Sequence, residues 1–275
     1  MAVRDYLRER FLPHIWCPGC GHGIVMASLV RAVERLGLGQ NQLVVISGIG
    51  CSSRMSGYLD FHTMHTLHGR ALAFATGVKF SRPDLKVIVP MGDGDAAAIG
   101  GNHLIHAARR NIDITALVMN NRIYGMTGGQ GSPLTPRGGR STTASSGAID
   151  PPFDLAALLM GAGAGFVARA TTYHVKEMID LMAAAISHHG FSLLEVLSQC
   201  PTYYGRKNKL GDAVDLMRSY REITAPAGSR KLADNPDLIA RGLLLEKNRP
   251  EYTESYLKLI DAQREIASQD NPSQA

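Results

Sequence analysis

Long apolar runs are missing from this chain: nothing in it approaches the roughly 20 consecutive apolar residues that cross a bilayer, which excludes a membrane-spanning helix. A signal-peptide apolar stretch is missing too, because Arg4, Asp5, Arg8, Glu9 and Arg10 crowd the start, so a cytoplasmic protein is expected. Aromatic residues make up only 6% and no recognition motif accompanies them, which argues against a nucleic-acid module. There is no internal repeat and no low-complexity tract. Blocks of one charge are absent as well. The net charge of +5 is spread over scattered basic residues, with Arg206, Lys207 and Lys209 as the only short cluster near a motif. Such a surface is solvated or meets an acidic partner. Cysteine is scarce, four in 275 residues, and in the cytoplasm these thiols are expected to be free for chelation or redox chemistry rather than tied in a structural disulfide.

What is present is a chain with 45% hydrophobic residues, long enough for one large α/β domain with a buried core. The stretch from Gly92 to Asn121 organises it. Lys86-Val87-Ile88-Val89-Pro90 is β-branched and bounded by turn formers, which predicts a short buried strand ending near Asp93. Ala96 to Arg110 predicts a helix, and Ile114 to Met119 a second buried strand that ends on Asn120-Asn121. In a parallel sheet such a βαβ unit brings both strand ends to one edge, so Asp93 and Asn121 are expected to converge. A carboxylate and an amide oxygen are hard donors of the kind Mg²⁺ takes together with phosphate oxygens. The glycines beside Asp93 let backbone N–H groups approach a phosphate. The residues therefore predict an Mg²⁺-diphosphate site.

The thiols form a second pattern. Cys17 and Cys20 sit in a Gly/Pro turn at chelating spacing, while Cys51 and Cys200 each follow an apolar strand-like run, Leu43–Ser47 and Phe191–Leu197. All four are thus candidates for one edge of the sheet. Four cysteinates suit a tetrahedral zinc ion or an iron–sulfur cluster, and Cys51 and Cys200 also fit as ordinary buried residues.

Other candidates are weaker. His62, His65 and His68 recur at every third position, but Gly57, Gly69 and the intervening threonines predict a loop, and no carboxylate cluster supports a metal. His68 is a candidate partner for a phosphate or a substrate. Arg54 has the planar guanidinium that pairs with a carboxylate. Residues Ile123 to Arg140, rich in Gly, Thr and Pro, predict a loop folded over the diphosphate. Tyr173 to His188 predicts an amphipathic helix. Pro226 and Gly228 mark a linker to a charged helix over Asn248 to Ile266, read as a docking or oligomer element, with disorder expected at the last few residues.

Asp93-Gly94-Asp95 with the closing Asn pair resembles the signature of thiamine diphosphate enzymes. The strings Gly101–Asn111, Asn120–Gln130, Trp16–Gly23, Gly48–Ser53 and Cys200–Gly205 are similar to β subunits of 2-oxoacid:ferredoxin oxidoreductases, most of all those acting on 2-oxoglutarate. The resemblance implies an α/β fold of the thiamine diphosphate-binding type, a mostly parallel sheet with helices on both faces. Residues 1–222 are expected to form the coenzyme and iron–sulfur domain, and 223–275 a mainly helical C-terminal extension. It implies Mg²⁺ held by Asp93, Asn121 and the carbonyl of Ile123, and coenzyme contacts from Ile49, Gly50, Cys51, Ser52, Gly94, Asp95, Gly125, Met126 and Thr127. It assigns a 4Fe-4S cluster to Cys17, Cys20, Cys51 and Cys200, and leaves Arg54 and His68 as the catalytic candidates. The implied reaction is oxidative decarboxylation of 2-oxoglutarate to succinyl-CoA and CO2, reversible as reductive carboxylation, with ferredoxin as electron acceptor; pyruvate or a branched-chain 2-oxoacid is the alternative substrate. It further implies that the activating glutamate comes from an α subunit in an (αβ)2 assembly, so that the chain is inactive alone. No nucleic acid and no membrane enters this reading.

Overall fold

The computed structural model describes residues 3–270; the expectation about the last few residues lies outside that span. In chain order the regular elements are α1 (His22–Arg35), β1 (Leu43–Ser47), the single-turn α2 (Met55–Tyr58), β2 (His62–His65), α3 (Ala71–Ser81) and β3 (Lys86–Gly92). Then come α4 (Gly101–Arg110), β4 (Thr115–Asn120), α5 (Leu155–Ala162), β5 (Phe166–Thr171), α6 (Val175–Ser187) and β6 (Ser192–Leu197). The last third holds α7 (Arg206–Asn208), α8 (Ala213–Ile223), β7 (Thr224–Pro226), α9 (Arg230–Asp234), β8 (Ile239–Glu246) and α10 (Tyr252–Asp270).

One eight-stranded sheet runs in the order β2-β1-β3-β4-β6-β5-β8-β7, and the pairs from β2 through to β5 are all parallel. β8 joins antiparallel to β5, which makes the sheet mostly parallel. Every residue of β1, β4, β5 and β6 is buried, as strands covered on both faces must be. The pleat sorts them. Leu43 and Val45 pack with Val25, Leu29, Val33, Met178, Met182 and Ile186 of α1 and α6 on one face. Val44 and Ile46 point the other way, onto Leu72, Ala75, Leu104, Leu155 and Leu159 of α3, α4 and α5. Full burial of each such aliphatic side chain is worth about 1.5–3 kcal/mol.

Two expectations are corrected. The helix foreseen over Ala96–Arg110 is broken: Asp95–Ile99 forms a wide turn, and α4 starts only at Gly101. A Cβ at Gly100 would stand 2.3 Å from the carbonyl of Asp95, so the widened turn closes only on glycine. His62 and His65 bound an edge strand, not a loop, because pairing of Val44 to Ser47 with this segment satisfies its backbone on one side. The segment 223–275 holds the helices α9 and α10 and also supplies β7 and β8 to the same sheet. It is fastened by Lys247 N donating to Gly165 O and by Glu251 accepting from the amide of Asp113. Among the described residues no helix is long and apolar enough to cross a membrane.

The parallel order puts the turns after β1, β2, β3, β4 and β6 on one rim. α1 runs back against the sheet, so the loop before it, which carries Cys17 and Cys20, reaches that rim as well; there the amide of Gly21 donates to Gln199 O just past β6.

Candidate active site

Two cavities open side by side on this rim. The first, about 270 Å³, is lined by His22, Ile49 to Ser52, His68, Gly92 to Asp95, Asn121 and Ile123 to Thr127. The second, about 220 Å³, is lined by Ile15 to Cys17, Cys20, Cys51, Asn121, Gly125, Met126 and Cys200 to Tyr203. Cys51, Asn121, Gly125 and Met126 belong to both linings and form the wall between them. A roomier cleft of about 830 Å³ lies under the loop around residues 131–151, but Asp150 is the only acidic or basic side chain in its lining.

In the first cavity Asp93 sits at the end of β3, 2% exposed, and its Oδ2 accepts a short hydrogen bond from Ser132. Burial pushes its carboxyl up to about 7 against that bond, the response of an anion kept from water with no cation beside it. Asp95 accepts from the amide of Gly69 at 2.6 Å, and His68 Nδ1 lies 2.8 Å from the same oxygen at ion-pair distance. Burial again raises this carboxyl, while the Gly69 amide and His68 hold it down. Its other oxygen, Oδ2, and Ser52 Oγ are buried without a partner beside the cavity. Tyr124 Oη donates to Gly94 O, and a Cβ on Gly94 would meet the tyrosine ring at 2.2 Å. Asn121 Oδ1 accepts from the amide of Ile123 at 3.2 Å, which folds the strand end back over the cavity.

Buried carboxylate and amide oxygens, an orphaned hydroxyl and glycine backbone fit a hydrated metal ion and a diphosphate. Of the residues expected at this site, all but Arg54 line the cavity; Arg54 is exposed beyond Cys51. His68 is engaged by Asp95 and stacks edge-on against Tyr124 at 5.9 Å.

In the second cavity Cys17 is exposed, Cys20 and Cys51 are half-buried and Cys200 is buried. Burial pushes the Cys20 thiol up to about 12 and the Cys51 thiol up to about 11, and it raises Cys200; nearby thiols add to each shift. Backbone amides act the other way, from His22 toward Cys20 and from Tyr204 and Tyr203 toward Cys200. Thiols that repel one another as anions, yet carry amide donors aimed at sulfur, suit a shared cationic centre. Among the described residues no three His, Cys, Asp or Glu side chains gather as the ligands of a single metal ion would. All four thiols line the second cavity.

Sequence reasoning left several neighbours without a role. Trp16 Nε1 donates to Cys51 O at 2.6 Å, and Gln199 Nε2 donates to Gly19 O at 3.2 Å, bracing the thiol loops. His22, 1% exposed, pairs its Nδ1 with Ser198 Oγ at 3.1 Å and is pushed down to about 4 by burial, so it is neutral. The histidine two residues beyond Cys20 was a readable signal for His22. Ser132 had none, since nothing ties it to Asp93 until the loop folds.

Residues 37–196 match the family described as thiamine pyrophosphate enzyme, C-terminal TPP binding domain. The chain is 46% identical over 260 residues to 2-oxoglutarate synthase subunit KorB of Methanothermobacter thermautotrophicus, covering 93% of this chain and 91% of that one. It is 47% identical over 259 residues to 2-oxoglutarate synthase subunit KorB of Methanocaldococcus jannaschii, covering 93% and 96%. Among solved structures it resembles the 2-oxoglutarate:ferredoxin oxidoreductase from Magnetococcus marinus with 2-oxoglutarate, coenzyme A and succinyl-CoA bound, with a TM-score of 0.87, 36% identity and coverage of 96% and 91%. At these identities, and over this much of its length, the chain belongs to the thiamine pyrophosphate enzymes, as a β subunit of the 2-oxoacid:ferredoxin oxidoreductase family.

Proposed function

We propose that the chain is the β subunit of a CoA-acylating 2-oxoglutarate:ferredoxin oxidoreductase. One observation carries this reading beyond family membership: a diphosphate-type cavity and a four-thiol cavity share the wall made by Cys51, Asn121, Gly125 and Met126. A coenzyme site and an electron-accepting site separated by one layer of atoms suit a decarboxylation that releases electrons one at a time.

We assign Mg²⁺ to Asp93, Asn121 and the Ile123 carbonyl, and the coenzyme's diphosphate to the amides around Gly94 and Asp95. Ile49 to Ser52 and Gly125 to Thr127 form the wall against its thiamine portion. Thiamine diphosphate, when bound, supplies the carbanion that adds to a 2-oxo carbon and the electron sink for loss of CO2. Asp95 orients His68 toward the cavity, and Arg54, exposed beyond Cys51, is assigned the substrate's remote carboxylate. His22 stays neutral in the lining of the coenzyme cavity.

Cys17, Cys20, Cys51 and Cys200 are assigned a 4Fe-4S cluster. A tetrahedral zinc ion on the same four thiols is the alternative, and iron and sulfide analysis separates the two. CoA accepts the acyl group, ferredoxin accepts the electrons, and an α subunit in an (αβ)2 assembly supplies the residues that activate the coenzyme. The 2-oxoglutarate preference rests on the names of the relatives.

The test is anaerobic co-purification with the partner chain. Brown protein that contains iron and sulfide, bleaches on addition of 2-oxoglutarate and CoA, and turns over this acid faster than pyruvate or a branched-chain 2-oxoacid is the expected result. Absence of iron and sulfide refutes the electron-transfer reading, and faster turnover of pyruvate refutes the substrate.

A further inference from the structure

Asn120, the last residue of β4, is tied sideways to β6 and β5 by charges that line neither cavity. Glu195 of β6 is 2% exposed and lies opposite Arg169 of β5 and Val118 of β4 in the sheet register. Its Oε2 accepts from Arg169 Nε at 2.7 Å, and its Oε1 accepts from Asn120 Nδ2 at 2.7 Å. Arg169, 7% exposed, reaches on to Ala240 O at 3.1 Å and to Asp154 Oδ1 at 2.7 Å, the N-cap of α5. The hydrogen bonds run unbroken from β8 to β4.

Asn120 is where this chain of bonds meets the candidate metal loop. With Nδ2 committed to a carboxylate, the amide cannot flip, so Oδ1 faces the amide of Arg122 and accepts from it at 3.1 Å. Arg122 has φ of 65°, a left-handed conformation that a non-glycine residue holds only when its surroundings impose it. Thr135 Oγ1 fixes the other side by donating to Arg122 O at 2.7 Å. Both anchors grip Arg122, which stands between Asn121, a residue of both cavity linings, and Ile123, whose amide donates to Asn121 Oδ1. A buried ion pair contributes little over packed apolar residues, so stability alone gives weak reason for charges here. A fixed amide orientation is something apolar residues cannot supply.

We propose that Glu195 is a positioning residue for the metal loop, acting through Asn120, so that the Arg169–Glu195–Asn120 chain sets the geometry in which Asn121 and the Ile123 carbonyl present their oxygens. The proposal rests on the Mg²⁺ assignment made above. Partners that orient a ligand from behind typically change metal affinity by about 10–100-fold when lost.

The experiment titrates Mg²⁺ at fixed thiamine diphosphate, followed by calorimetry, on the complex assembled with its partner chain. Wild type is compared with Asn120→Ala and Glu195→Gln. Asn120→Ala is expected to raise the half-saturating Mg²⁺ concentration by about 10-fold or more. Glu195→Gln keeps an acceptor for Asn120 and is expected to raise it several-fold. In both, thiamine diphosphate affinity at saturating Mg²⁺ and iron content stay at wild-type levels, a pattern that general loosening of the sheet does not produce. Glu195→Gln is isosteric and carries the test where Asn120→Ala fails to assemble. An unchanged Mg²⁺ requirement in either folded variant overturns the proposal. If wild type itself binds no thiamine diphosphate in response to Mg²⁺, the functional reading falls; if it binds and the variants match it, only this inference does.

Discussion

The two cavities meet at one wall yet are built by opposite means. The coenzyme-type cavity is made from short turns directly after β1, β2, β3 and β4, and it lies within residues 37–196 apart from His22. Its polar atoms are buried carboxylates and amides, the carboxylates held by Ser132 and by the amide of Gly69. The thiol cavity draws Cys17 and Cys20 from before that span and Cys200 from after it, so only Cys51 of the four thiols lies inside the family match. It is closed by contacts such as Gly21 N to Gln199 O that link distant parts of the chain. One sheet edge thus carries two cavities, the first built from strand ends apart from His22, the second drawing its thiols from two strand ends, at Cys51 and Cys200, and from the segment before α1 that holds Cys17 and Cys20.

Substitutions that separate the cavities test this comparison most directly. Cys20→Ser is expected to abolish iron binding and colour while leaving Mg²⁺-dependent thiamine diphosphate binding within a few-fold of wild type, as read by iron analysis and calorimetry. Asp93→Ala is expected to do the reverse, weakening coenzyme binding about 100-fold with iron content unchanged, because the buried carboxylate is the charged donor of its cavity. Loss of both properties in either variant would break the division.

A pH effect follows from His22, whose pKa is depressed from 6.5 to about 4 by burial. The unfolded chain binds the additional proton in that window, so the stability this group contributes is fully present above pH 6.5 and is lost as pH falls toward 4. Urea unfolding is expected to show a slope approaching roughly 1.4 kcal/mol per pH unit from this residue, which His22→Gln removes. An unaltered slope in His22→Gln would show that the histidine is not buried neutral.

The smallest effect is expected at the shared wall. A Cβ on Gly125 would stand 3.3 Å from Cys51 Sγ, so Gly125→Ala displaces the sulfur by a few tenths of an ångström. A loss of about two- to five-fold in both coenzyme affinity and iron retention is expected, from the same two measurements. An effect on only one would mean that the wall is not shared.

Much of the coenzyme-type cavity was legible in the chain because its donors sit at strand ends. The apolar run into Asp93 and the run into Asn121 announced parallel strands, and parallel strands share an edge. The thiols were half legible. Cys17 and Cys20 announced themselves by spacing, whereas Cys51 and Cys200 followed strand-like runs, also read as ordinary buried cysteines, and joined the pair only by resemblance. The break at Gly100 and the edge strand at His62–His65 escaped because local composition spoke for an unbroken helix and for a loop. Pairing with β1 and the approach to the Asp95 carbonyl decided otherwise. The strands of the last third escaped because β8 is assigned by the free side of β5, not by its own pattern.

By itself the sequence determined a parallel α/β sheet with hard oxygen donors on its rim, since hydrophobic runs and turn residues act locally and the direction of crossover connections follows from chirality. Which partners those donors have was decided only by the tertiary structure. Ser132 against Asp93, Asp95 against His68, Glu195 between Arg169 and Asn120, and one wall between two cavities are contacts across strands and loops, and no local signal encodes them.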